Sequence, residues 1–160
     1  MRFFILERVI YMNYEFKLAT KEDFDFVFFV KKQNYKKYVE ELWSWDEEEQ
    51  AKINRETYLE RVHNYRIITL NNNNIGTFCS HITADNEYFL NEINLIKEYQ
   101  RLGIGTNILN DIIEMNKKDK RNIILQVFKT NPAKKLYERL GFKTYNETES
   151  HYKMLKKVED

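Results

Sequence analysis

Two of the chain's four glycines, Gly103 and Gly105, stand two positions apart at the junction of a strand-like run and an amphipathic one. Tyr88 to Ile96 reads as a strand. After the glycines, Ile104, Ile108, Leu109, Ile112 and Ile113 fall on one face of a helix. A helix entered this way leaves its first backbone N–H groups unpaired, at the positive end of its dipole. Without Cβ atoms at 103 and 105, an anion can come close to the main chain. Arg101, Leu102, Gly103, Ile104, Gly105 and Thr106 are therefore read as a diphosphate cradle, with the Thr106 hydroxyl as an extra donor. The phosphate-loop lysine is absent, and Ile108 occupies the place of the third glycine of a dinucleotide site. On the turn alone, a plain helix start with two glycines is the simpler reading.

An amphipathic helix needs a sheet to cover, and strands flank it on both sides. Tyr14 to Ala19 alternates like a short strand, and Thr20-Lys21-Glu22-Asp23 resembles a capping box with Asp in place of Glu. A first helix carries Phe24, Val27, Phe28, Tyr35 and Tyr38 at helical spacing. A second starts near Asp46, with Glu47, Glu48 and Glu49 against its dipole and Ala51, Tyr58, Leu59 and Val62 as apolar positions. Arg66 to Leu70 and Ile75 to Ile82 form a hairpin through a turn at Asn71 to Asn74. Ile123 to Phe128 is an apolar run, hence a central strand. Asn131-Pro132 opens a helix that Gly141 closes, and two strands follow at Phe142 to Thr148 and His151 to Lys156. The order β-α-α-β-β-β-α-β-α-β-β is that of a mixed α/β chain.

The 160 residues fit one domain, taken as 12–160, while 1–11 read as an extension or an upstream start. A formal net charge of +1 gives no electrostatic case for nucleic acid or a membrane surface. A single cysteine, Cys79, precludes an intrachain disulfide and suits a reducing, cytoplasmic setting. His63 and His81 are isolated and no metal-ligand spacing occurs, so no metal is expected.

Three stretches act together: Leu90-Asn91-Glu92-Ile93-Asn94-Leu95, then Glu98-Tyr99-Gln100-Arg101-Leu102-Gly103-Ile104-Gly105, then Asn131-Pro132-Ala133-Lys134-Lys135-Leu136-Tyr137-Glu138-Arg139-Leu140-Gly141-Phe142. They resemble the fourth strand, the pyrophosphate loop and the following helix of the GNAT superfamily of N-acetyltransferases. The order of elements matches from Tyr14 onward. One departure is Asn131, which lies one residue closer to Ala133 than in the commonest family pattern. Helix capping and a cofactor contact both remain open for it.

The resemblance implies a mostly antiparallel, twisted sheet flanked by about four helices and splayed between its fourth and fifth strands. It implies acetyl-CoA as cofactor, its pantetheine arm in the gap and bonded by main chain near Leu95, whose N–H would polarise the thioester carbonyl. Tyr137 matches the family's acid toward the leaving sulfur, although a core role on a face with Ala133, Leu136 and Leu140 also fits. Glu92 is the candidate base or anchor for the amine, and its pKa should rise if it is buried. Strand alternation puts Asn94 on its face, with Ile93 and Leu95 opposite. The acceptor site should be roofed by the first two helices and the last hairpin, from Tyr38, Trp43, Trp45, Asp46, Gln50, His151 and Tyr152. Aromatic walls with carboxylates suit a small cationic amine. A protein N-terminus or lysine, or a non-catalytic acyl-CoA-binding module, are the alternatives, and a homodimer is compatible with the sequence.

Overall fold

The computed structural model describes residues 14–158, so the reading of 1–11 as an extension lies outside the described residues. The elements are β1 (Tyr14–Leu18), α1 (Phe24–Leu42), α2 (Glu47–Arg61), β2 (Tyr65–Leu70), β3 (Asn73–Ile82), β4 (Tyr88–Leu95), α3 (Ile104–Asp119), β5 (Ile123–Phe128), α4 (Ala133–Arg139), β6 (Lys143–Glu147) and β7 (His151–Lys156). Their strands make a seven-stranded sheet in the order β1-β2-β3-β4-β5-β7-β6. All neighbours are antiparallel except β4 and β5. That parallel pair is joined only at Tyr88–Leu90 against Ile123–Leu125, and the rest of each strand runs on without the other. The expected splay is therefore present.

Helices cover both faces, and adjacent residues choose between them. Ile67 packs with Phe24, Val27, Tyr58, Tyr65 and Cys79 under α1 and α2, whereas its neighbour Ile68 faces Ile104, Ile108, Leu109 and Ile112 of α3. All five isoleucine and leucine positions expected on the α3 face are buried. In α2, Leu59 departs from its expected place and is 47% exposed. Tyr58 is the buried residue there, and its hydroxyl donates to Thr20 O at 2.5 Å, tying the helix to the end of β1.

The asparagine turn is shorter than expected. Asn71 and Asn72 alone take left-handed φ of 51° and 64°, and Asn73 and Asn74 join β3. Two such residues match the twist of a tight hairpin. Ile75 is then an extra residue between Ile68↔Gly76 and Thr69↔Asn74. Beside it, a Cβ on Gly76 would stand 2.2 Å from Asn94 O, so β3 meets β4 there with no room for a side chain. Sequence reasoning passed over this glycine. No helix among the described residues is long and apolar enough to cross a membrane.

Candidate active site

Where β4 and β5 part, cavities of about 420 Å³ and 520 Å³ lie on either side, and Tyr35, Asn131 and Tyr137 line both. The larger one receives Gln100, Arg101, Gly103, Gly105 and Thr106 from the glycine turn, with Leu95, Asn94 and Tyr38. The smaller one receives Glu92, Lys31, Trp45, Gln50, Phe128 and His151 among others.

The turn is shaped by two left-handed residues, Arg101 at φ 60° and Gly103 at φ 86°. Asn107 is the first residue of α3 whose N–H reaches a helical carbonyl, Gly103 O at 3.0 Å, and Gly103 supplies no side-chain cap. The N–H groups of Ile104, Gly105 and Thr106 therefore have no carbonyl one turn back. A Cβ built on Gly103 or Gly105 meets nothing within 4 Å, because both border open space. Unpaired N–H groups bordering open space at a helix start have the form that suits an anion. Within the turn, Leu102 is half exposed and the Ile104 side chain is buried in the core, so neither side chain faces the cavity.

Leu95 O, at the end of β4, accepts from Asn34 Nδ2 at 3.0 Å and Gln100 Nε2 at 2.8 Å. Gln100 also donates to Asn34 Oδ1 at 3.2 Å. The glycine turn is thus pinned to β4 and α1, and this carbonyl is already engaged. Asn34 carried no sequence signal, since its spacing fits an ordinary helix face.

Glu92 lines the smaller cavity, and β4 is bulged just before it. Cys79 pairs with Glu92 and Ser80 with Leu90, leaving Asn91 as the extra residue. Asn91 and Glu92 consequently both line the cavity, while Leu90 and Ile93 join the opposite core. Strand alternation alone would have turned Asn91 away. Glu92 is buried. Its Oε2 lies 3.6 Å from Lys31 Nζ, and Oε1 has no hydrogen-bond partner among the described residues. Asn94 Nδ2 is likewise buried and without a partner. Asn94 shares the Glu92 face but opens onto the larger cavity.

Asn131 Oδ1 accepts from Ala133 N at 2.9 Å, so the residue caps α4 while lining both cavities. Gly141, at φ 91°, ends that helix, with Phe142 N donating to Tyr137 O at 3.0 Å. Tyr137 packs edge-on against Phe142, ring centroids 5.8 Å apart, and burial pushes its hydroxyl up to about 12. Tyr35, absent from the expected site, has its pKa driven well above 10, first by burial and then by the Glu92 charge and Tyr137.

The aromatic wall is Tyr35, Tyr38, Phe128 and His151, with the Phe128 and His151 rings 4.1 Å apart. His151 Nδ1 lies 2.7 Å from Ser150 Oγ, and burial lowers its pKa. Of the residues expected around an acceptor, Trp45, Gln50 and His151 line the smaller cavity, and Tyr38 and Asn94 the larger. Tyr152 lines neither and lies beneath Lys134 Nζ, 4.8 Å from the ring centroid. Trp43 is exposed, and Asp46 caps α2 by accepting from Glu49 N. Among the described residues, no three His, Cys, Asp or Glu side chains cluster to hold a metal.

The fold has counterparts among known proteins. Over 91% of this chain and 99% of the other, the PaiA N-acetyltransferase of Thermoplasma acidophilum in complex with coenzyme A superposes with a TM-score of 0.72 at 22% identity. An acetyltransferase from Thermus thermophilus covers 92% of this chain and 99% of its own, with TM-score 0.72 and 14% identity. The ribosomal-protein-S18-alanine N-acetyltransferase of Escherichia coli covers 92% and 95%, with TM-score 0.66 and 18% identity. No curated protein matches by sequence. The sequence model of the acetyltransferase (GNAT) family matches residues 24–142, and the chain belongs to that family.

Proposed function

We propose that the chain transfers an acetyl group from acetyl-CoA to the primary amine of a small molecule, of the polyamine, amino sugar or amino acid kind. The observation that supports this best is the meeting of two cavities at Tyr137, one floored by backbone donors and the other holding Glu92. The residues fit the cofactor: side chains at 103 and 105 would fill the space a diphosphate needs. Arg101 to Thr106 would hold the diphosphate, with the arm running past Leu95 and Asn94 toward Tyr137. When bound, acetyl-CoA supplies the acetyl group as an activated thioester.

In this reading Glu92 Oε1 accepts a proton from the amine, directly or through water, as the new C–N bond forms and the C–S bond breaks. Tyr137 donates a hydrogen bond to the departing sulfur. A hydroxyl near 12 stays protonated throughout the neutral range. Full transfer to a thiolate of ordinary pKa about 8.5 is uphill, so Tyr137 helps by hydrogen bonding. Free-thiol release from acetyl-CoA across a panel of amines, amino acids and short peptides tests the activity. Coenzyme A binding without thiol release from any amine would leave a binding module and overturn it.

A further inference from the structure

Three charged side chains line the smaller cavity: Lys31 from α1, Arg61 from the end of α2 and Glu92 from β4. Glu92 is the single anion among them, and Lys31 Nζ already stands 3.6 Å from its Oε2. Arg61 enters no ion pair among the described residues. His151 adds no further cation, since burial favours its neutral ring. The remaining polar lining includes the amides Gln50, Asn54, Asn91 and Gln126.

One carboxylate facing two cations is a poor receptor for a polycation. A second ammonium beside Lys31 would add to an excess of positive charge in a partly desolvated space. That excess instead suits an anionic group, which Arg61 can grip in a forked, charge-assisted way. The same field favours the neutral, nucleophilic form of an amine brought beside Lys31. A volume of about 420 Å³ holds a small molecule.

We infer that the acceptor is a small amine that also carries a carboxylate, of amino-acid type. Its carboxylate sits toward Arg61 and Lys31, and its amine toward the unpartnered Glu92 Oε1. This rests on the acetyltransferase reading above, and it moves the acceptor from the purely cationic amines that aromatic walls alone suggested.

The test is thiol release from acetyl-CoA with matched acceptors: glycine, β-alanine and glutamate, each against its carboxamide, with spermidine as polycation. Acids should exceed their amides and spermidine in kcat/KM by about ten-fold or more, the worth of one charge-assisted hydrogen bond. Arg61→Gln, checked for unchanged melting, should raise KM for the acids several-fold more than for the amides. Equal use of acid and amide, a preference for spermidine, or equal KM shifts in both series would overturn the inference while leaving the acetyltransferase reading intact. No release with any amine, despite coenzyme A binding, would overturn both.

Discussion

The two cavities that meet at Tyr137 are built by different means. The larger takes Gln100, Arg101, Gly103, Gly105 and Thr106 from one glycine turn with unpaired main-chain N–H groups, beside residues of α1, β4 and α4. The smaller draws side chains from α1, α2, β4, β5, α4 and β7. A backbone receptor tolerates changes in side chain but not in Cβ or φ. A side-chain receptor reverses that dependence, since each contact can be exchanged without moving the scaffold. On the proposed assignment of donor and acceptor, this contrast lets one fold keep its acyl donor while its acceptors differ.

The strongest way to break the comparison is Glu92→Gln. It should lower kcat by about 10²–10⁴-fold if the carboxylate takes the amine proton. A rise in KM with kcat preserved would make Glu92 an anchor instead. Coenzyme A affinity, measured by calorimetry, should hold, because Glu92 lines only the smaller cavity. Tyr137→Phe comes next, with kcat down by about 10- to 10²-fold, the worth of a hydrogen bond to a charged group. Wild-type turnover in that variant would reduce Tyr137 to a packing residue.

Gly105→Ala tests the other cavity cleanly. Gly105 lies in the first turn of α3 without a left-handed φ, and its Cβ would enter open space. Stability should hold or rise by up to about 1 kcal/mol, the usual gain of Ala over Gly in a helix. Coenzyme A affinity should fall about ten-fold or more, near the worth of a hydrogen bond to a charged group. Gly103 is a poorer probe, since its φ of 86° would add strain of its own. Unchanged affinity in Gly105→Ala would remove the diphosphate from this turn.

The smallest effect concerns His151. Burial lowers its pKa. Above the ordinary histidine value of about 6.5 the ring is neutral in both folded and unfolded chains. As pH falls, the unfolded chain takes its proton first, so stability drops until folded His151 also protonates. His151→Gln should flatten that part of a melting-temperature profile below about pH 6.5. An identical acid slope in both proteins would show that the ring is not held neutral by the wall.

Much of the scaffold was legible because it follows from local pattern. The α3 stripe, the Gly141 helix end and the Asn131 cap each depend on neighbours within a turn or two. Leu59 misled because helical spacing shows which residues share a face, not how wide a stripe the partner covers. The site's other contributors gave weaker signals. Tyr35 read as one apolar position among several, and nothing in the local pattern singled out Lys31, Asn34 or Arg61. Asn91 was hidden for a different reason. Its direction depends on a bulge against Cys79 and Ser80, which only the pairing with β3 creates.

The sequence by itself determined the order of elements and the glycine turn that opens α3, because propensity, periodicity and missing Cβ atoms act over a few residues. The tertiary structure decided which charges face one another. Lys31 meets Glu92 across 61 positions of chain at 3.6 Å, and Asn34 reaches Leu95 O at 3.0 Å. Such contacts arise from how helices cross a sheet, and no spacing along the chain encodes that crossing.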